Sequence, residues 1–314
     1  MPKAGCSQIR LSLRLIFVQT FMKKNIIISW IEAARPKTLT ASISPVVVAC
    51  ALALHDGVFN FIPALLCLAV AVLAQIASNF ANDYFDFRKG ADREDRLGPE
   101  RAVASGWIAP KVMLIGTFIT LALACLSGCM LLFFAGWELI PVGVAIAICV
   151  LAYSAGPFPL AYNGLGDVCV LLFYGIVPVC FTYYVQALTF TMPSLLLALS
   201  LGFLSINILV VNNYRDYFQD RKSNKRTTIV LFGRTFGRVF YLINGTIAIA
   251  LTAPFLSGEG LVWKACLLLA FYILFLSTWS ELSNREGKAL NKTLGNTARN
   301  VFIFALYLTV VLLF

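Results

Sequence analysis

Histidine is almost missing from this chain: His55 is the one residue of its kind in 314. Charge is also scarce, at 13% of residues, against about a quarter in ordinary soluble domains. Nine cysteines (Cys6, Cys50, Cys67, Cys125, Cys129, Cys149, Cys169, Cys180 and Cys266) are scattered singly, with no CxxC pair. These absences exclude a zinc site and a disulfide framework. The cysteines read instead as small apolar residues of the runs that contain most of them. His55 falls in an outer loop and is given no role. The first 21 residues lack a small-residue cleavage site, and Ile9 to Phe21 is too short an apolar stretch to span a bilayer. They read as an upstream extension, with a more ordinary start at Met22. The division expected is an N-terminal extension over 1–29 and one transmembrane domain over 30–314. A net charge of +10 invites a nucleic-acid partner. That reading fails because the basic residues sit in short loops between apolar runs, where lipid headgroups and topology account for them.

What the chain has in quantity is hydrocarbon. Hydrophobic residues are 60% of it and the mean hydropathy is +0.83. The class is an all-α polytopic membrane protein with the lipid bilayer as its solvent. Apolar runs fall at about 38–54, 61–82, 112–134, 139–155, 165–187, 194–213, 237–256, 261–280 and 299–314. Nine transmembrane helices follow, the alternative being seven or eight with one run re-entrant. Before them Trp30 to Arg35 reads as an interfacial helical turn, with Trp30 at headgroup level. With the N-terminus in the cytoplasm, alternation puts every Lys and Arg but Lys264 on the cytoplasmic side. That is the bias of a correctly threaded topology, and it leaves the C-terminus outside. Gln75 and Asn207, deep in their runs, read as interhelical hydrogen-bonding residues.

Two acidic strings close apolar runs on the same face. The first is Asn82-Asp83-Tyr84-Phe85-Asp86, followed by Asp92 and Asp95; the second is Asn212-Asn213-Tyr214-Arg215-Asp216, followed by Asp220. Carboxylates at the edge of hydrocarbon are costly and need partners. Asn79, Asp83 and Asp86 are spaced to share one helical face, as are Asn212, Asp216 and Asp220. Two facing carboxylate faces suit a hard divalent cation such as Mg²⁺, and such a metal neutralises a bound diphosphate. The bland alternative is solvated loop acids, which a matched pair of strings disfavours. Basic residues border both strings and serve topology, with Arg101, Lys225 and Arg226 the better candidates for phosphate contact. Asn82, Tyr84 and Asp86 match Asn212, Tyr214 and Asp216 at one offset, a weak internal repeat of the kind that places a site at the repeat interface. A third cytoplasmic loop, 153–167, carries no Lys or Arg. Its Tyr153, Tyr162, Asn163 and Asp167 either line a cavity mouth or belong to an ordinary turn.

Asn82-Asp83-xx-Asp86 with Asp92, together with Asp216-xxx-Asp220, resembles the UbiA superfamily of intramembrane aromatic prenyltransferases. Arg35-Pro36-Lys37-Thr38-Leu39, the run from Lys89 to Pro99, Gly156-Pro157 through Asp167, and Asn212 through Thr227 are similar to its branch that prenylates 1,4-dihydroxy-2-naphthoate. The resemblance runs from about Trp30 to the C-terminus. One departure is Ser223-Asn224 before Lys225-Arg226, where the branch would have glycine or another small residue directly before the lysine. The resemblance implies nine helices around a central cavity open sideways to lipid, in a bacterial inner membrane. It implies Mg²⁺ bridging a polyprenyl diphosphate to Asp83, Asp86, Asp92, Asp216 and Asp220, with Asp83, Asp86, Asp216 and Asp220 as the catalytic set. Asn82 and Asn212 would support them, Tyr153 would line the mouth, and Arg35 or Lys37 would pair the acceptor carboxylate or a phosphate. The implied reaction releases CO₂ and diphosphate and gives demethylmenaquinol for menaquinone biosynthesis. Other acceptors such as 4-hydroxybenzoate remain open on chemistry alone. An ion-coupled transporter is the rival from another class. No protein partner is indicated.

Overall fold

A computed structural model describes residues 25–90, 96–258 and 260–314. The suggested extension 1–21 and Asp92, Glu94 and Asp95 lie outside these residues. Among them the chain is helical, without strands. The helices are α1 (Ile26–Ala34), α2 (Pro36–His55), α3 (Phe61–Arg88), α4 (Pro110–Ala135), α5 (Ile140–Ala152), α6 (Gly166–Ala187), α7 (Met192–Arg215), α8 (Tyr217–Lys222), α9 (Thr228–Ala250), α10 (Leu261–Asn284) and α11 (Leu290–Leu313). Each of the nine predicted runs lies on one of α2–α7 or α9–α11. Seven described helices are long and apolar enough to cross a membrane by themselves. The two short of that standard have visible causes. The fourth run, Trp137–Ala152, is brief. In α9 the helix starts nine residues before the predicted run, takes in Arg234 and Arg238, and is broken at Gly233, whose φ of 87° favours glycine.

Helix starts follow local chemistry. Proline stands in the first turn of α2, α4, α5 and α7, where its missing N–H costs nothing. The Asn60 side chain accepts from Ile62 N–H to start α3, Thr227 does the same for Val230 in α9, and Thr191 and Ser194 form a capping box on α7. The interfacial turn at Trp30 is a full helix, α1, capped by the Asn25 side chain. Trp30 meets Phe80 edge to face at 5.1 Å, and Ala33 and Phe80 share a small core with Met113. That packing ties α1 down beside α3 and α4.

The core is centred on α7, which packs against α2, α6, α9 and α11. Leu197, Leu201, Leu204, Val301, Phe304 and Leu308 are buried there. Two glycines bring α6 and α7 together: a Cβ on Gly175 would lie 2.5 Å from the Ala198 carbonyl oxygen and 2.6 Å from Gly202 Cα. Small residues at such crossings let backbones touch where lipid offers no hydrophobic drive between helices. The same stretch of α6, Leu172–Ile176, is wound as a π-helix. The α3–α4 hairpin stands beside this core, and a large cavity separates the two parts. Gln75 and Asn207 hydrogen-bond between helices as expected. Gln75 accepts from Tyr174 and meets Thr38, while Asn207 donates to the Tyr241 carbonyl at 3.0 Å and accepts from Asn244.

Candidate active site

The cavity holds about 980 Å³. Its depth is apolar, with Val70, Leu121, Leu131, Ile146, Val150 and Phe181 among its walls. Its mouth is lined by Arg35, Lys37, Asn82, Asp83, Asp86, Arg101, Tyr153, Asn212 and Lys225. Nine of the residues singled out in the sequence are therefore brought to one rim. A cavity of this make-up accepts a long apolar chain below and an anionic head above.

The first acidic string occupies the last two turns of α3. The helix runs six residues past the predicted apolar run, so Gln75, Asn79, Asp83 and Asp86 form one buried stripe. It ends before Asp92, with Lys89 as its cap and Gly90 at a φ of 65°. Asp83, 2% exposed, accepts from the backbone N–H groups of Ala102 and Val103 at 3.0 and 3.2 Å. It clasps the loop that follows the string. Asp86 accepts from the Tyr162 hydroxyl at 3.0 Å and meets the Arg101 guanidinium at 3.4 Å. The Ser154 hydroxyl donates to Asn82. Lys89 donates to the Ser154 carbonyl at 2.6 Å and lies 4.4 Å from the Tyr162 ring centre. The loop without Lys or Arg is thus drawn onto the acids, because its hydroxyls and carbonyls supply what they and Lys89 lack.

The second string is not one helix. α7 ends at Arg215 and α8 begins at Tyr217. Hydrogen bonds from Asp216 N–H to Asn212 and from Asp220 N–H to Asp216 carry the four-residue spacing across the break, so the expected shared face survives it. Arg215 grips Asp216 through two bonds of 2.6 and 2.7 Å, and also donates to Asn212 and to Asn291 of α11. Asn291 in turn donates to the Leu97 carbonyl at 2.8 Å. Lys225 stands 3.7 Å from Asp220. Asp216 and Asp220 do not themselves line the cavity; Arg215 and Lys225 do. Burial, with the charges of Asp216 and Asp86 adding and Lys225 opposing, pushes the Asp220 carboxyl up to about 6. The fold therefore disfavours its anion, and a cation placed among these carboxylates would offset that. One oxygen, Asp220 Oδ2, is buried and has no hydrogen-bond partner among the described residues.

Arg226 departs from expectation. Its backbone N–H bonds the Tyr162 carbonyl at 2.9 Å, but its side chain is exposed and off the cavity wall. Asn163 donates to the Pro159 carbonyl within its own turn, and Asp167 is buried against Thr228. Arg215 and Asn291 were missed in the sequence. Arg215 stands beside an acid, which is a weak signal. Asn291 is 76 residues away and gives none.

The donor set is one of hard oxygens, and the spare buried oxygen of Asp220 fits Mg²⁺. No group of three His, Cys, Asp or Glu among the described residues is close enough to hold a metal unaided.

A model of the UbiA prenyltransferase family matches residues 42–312. The 1,4-dihydroxy-2-naphthoate octaprenyltransferase of Escherichia coli (strain K12) is 35% identical over 286 residues, 88% of this chain and 92% of that protein. The enzyme of that name from Mycobacterium tuberculosis is 36% identical over 282 residues, 88% and 94% of the two chains. Among solved structures, a UbiA homolog from Archaeoglobus fulgidus bound to DMAPP and Mg²⁺ superposes with a TM-score of 0.65. It is 16% identical, over 90% of this chain and 99% of the other. With the family match across most of its length and these relatives above 30% identity, the chain belongs to the UbiA prenyltransferase family.

Proposed function

We propose that this chain transfers a polyprenyl group from polyprenyl diphosphate to 1,4-dihydroxy-2-naphthoate, releasing diphosphate and CO₂ and giving demethylmenaquinol in menaquinone biosynthesis. The observation that carries the reading is one apolar cavity with aspartates of both strings, or their Arg and Lys partners, at its mouth. Relatives named for this reaction at 35–36% identity support the acceptor. Asp83, Asp86, Asp92, Asp216 and Asp220 would hold Mg²⁺, with Asn82 and Asn212 beside them. When bound, the metal neutralises diphosphate charge and favours its departure. Arg101 and Lys225, each paired with an aspartate, would contact the phosphate oxygens. Arg35 and Lys37 line the same cavity, and one of them would pair the acceptor carboxylate or a phosphate. The apolar walls keep water from the allylic cation formed when the prenyl–oxygen bond breaks. The ring carbon bearing the carboxylate attacks that cation, and the carboxylate leaves as CO₂. The acidic face is the cytoplasmic one, and the C-terminus lies outside.

The test is direct. Membranes containing the protein are incubated with a polyprenyl diphosphate, Mg²⁺, and either 1,4-dihydroxy-2-naphthoate or 4-hydroxybenzoate, and the product is identified by mass. Prenylated naphthoquinol is expected. Product from 4-hydroxybenzoate alone would overturn the acceptor and leave the class.

A further inference from the structure

Below the acids the wall of the cavity is mostly apolar, and its polar side chains gather at one level, with Thr182 apart from them. There Thr38 and Ser42 of α2, Gln75 and Asn79 of α3, Tyr174 of α6 and Ser205 of α7 all face into it. Gln75 lies eight residues before Asp83 on the same stripe, about 12 Å deeper along the helix. The Tyr174 hydroxyl donates to the Gln75 side-chain oxygen. The Gln75 amide then makes only long contacts, 3.3 Å to Asn79 and 3.5 Å to Thr38, at or beyond the useful limit for a hydrogen bond. Asn79 is held more firmly, donating to the Ala34 carbonyl at 2.8 Å. The hydroxyls of Ser42 and Ser205 are buried and have no hydrogen-bond partner among the described residues.

A second feature points to the same place. Tyr174 sits in the π-wound turn Leu172–Ile176. Such turns break the regular hydrogen-bonding pattern and are frequent at functional sites. Here the turn is pinned from behind, since Gly175 abuts Gly202, and Ser205 is less than one turn further along α7. The turn carries a tyrosine on the cavity wall, near the two unpaired hydroxyls.

A polyprenyl chain has no use for hydrogen bonds. An aromatic acceptor with two ring hydroxyls does. We propose that Tyr174 and Gln75, with Ser42 and Ser205 beside them, form the subsite that hydrogen-bonds the acceptor's hydroxyl farther from its carboxylate. The ring then lies between this level and the aspartates, with the carboxylate end toward the mouth. Tyr174 and Gln75 are specificity residues in this role. A site built to bond a hydroxyl rejects an analogue lacking it, because its own polar groups are then left unpaired.

This inference rests on the proposed reaction, and the experiment separates the two. With one polyprenyl diphosphate and Mg²⁺, kcat/KM is measured for 1,4-dihydroxy-2-naphthoate and for 1-hydroxy-2-naphthoate, which lacks only that hydroxyl. An inhibition constant replaces kcat/KM where the analogue does not turn over. Wild type should prefer the dihydroxy acid, and Tyr174→Phe and Gln75→Leu should each shrink the preference about tenfold, with the KM for polyprenyl diphosphate unchanged. Tyr174→Phe keeps the ring and its packing, so it decides the matter if Gln75→Leu misfolds. An unchanged preference in Tyr174→Phe overturns the subsite. A wild-type protein that converts neither acid overturns the proposed reaction and the subsite with it.

Discussion

Asp83 holds two backbone N–H groups with its two oxygens, while Asp216 is gripped by one buried guanidinium. Their removal should differ in kind. Asp83→Ala leaves two buried donors unpaired, at about 1–3 kcal/mol each, and loosens the 101–105 loop. Asp216→Ala leaves Arg215 buried and uncompensated, a loss of about 3–5 kcal/mol for a buried pair. Both variants should lose at least about a hundredfold in turnover. Both should also melt earlier than wild type in detergent, by size-exclusion thermal scans. Retained turnover in both would remove the metal reading. Arg215→Lys keeps the charge but not the two-pronged grip, so it should recover stability in part and activity little. Chelation with EDTA should abolish turnover, and Mg²⁺ should restore it.

The elements carry the second set of outcomes. α6 and α7 meet at Gly175 and Gly202 with no room for a methyl group. Gly175→Ala forces backbone against backbone, and overpacking of that sort costs about 1–3 kcal/mol. Its melting temperature should drop, and acceptor KM should rise more than polyprenyl diphosphate KM, because the π turn that carries Tyr174 must shift. The helix boundaries show what was legible along the chain. Asn60, Thr191 and Thr227 are cap residues that act as their types suggest. The helical face through Asp83 and Asp86 was legible from their spacing, while the break at Asp216 was not. Charged residues end an apolar run in the sequence, but a helix continues wherever those charges find buried partners, as Asp83 and Asp86 do.

For the molecule as a whole, the cavity divides a polar rim from an apolar depth. Ala74 and Ala147 lie on its wall. Replacing either by Phe should cut kcat/KM for long polyprenyl diphosphates by about tenfold or more and spare geranyl diphosphate, since added volume has no place to go in a fixed wall. Equal losses for both donors would place the chain elsewhere. The proposed threading rests on the positive-inside bias: alkaline phosphatase fused after Phe314 should be active outside the cell, and the same fusion after Asn224 should be silent.

Composition and run lengths by themselves determined a helical membrane protein whose predicted apolar runs lie on described helices, because hydrocarbon leaves the backbone of such a run no other partner than its own helix. The spacing of Asn79, Asp83 and Asp86 determined a shared face, since helical geometry is local. The tertiary structure decided what each acid touches. That Asp83 clasps the 101–105 loop, that Arg215 reaches Asn291 of the last helix, and that Arg226 points away depend on chain segments tens of residues distant. It also decided that Gln75, read as a helix-to-helix bond, faces a cavity as well. A polar residue in an apolar run must find a partner, and the sequence says only that it will; packing decides whether that partner is a neighbouring helix, a substrate or both.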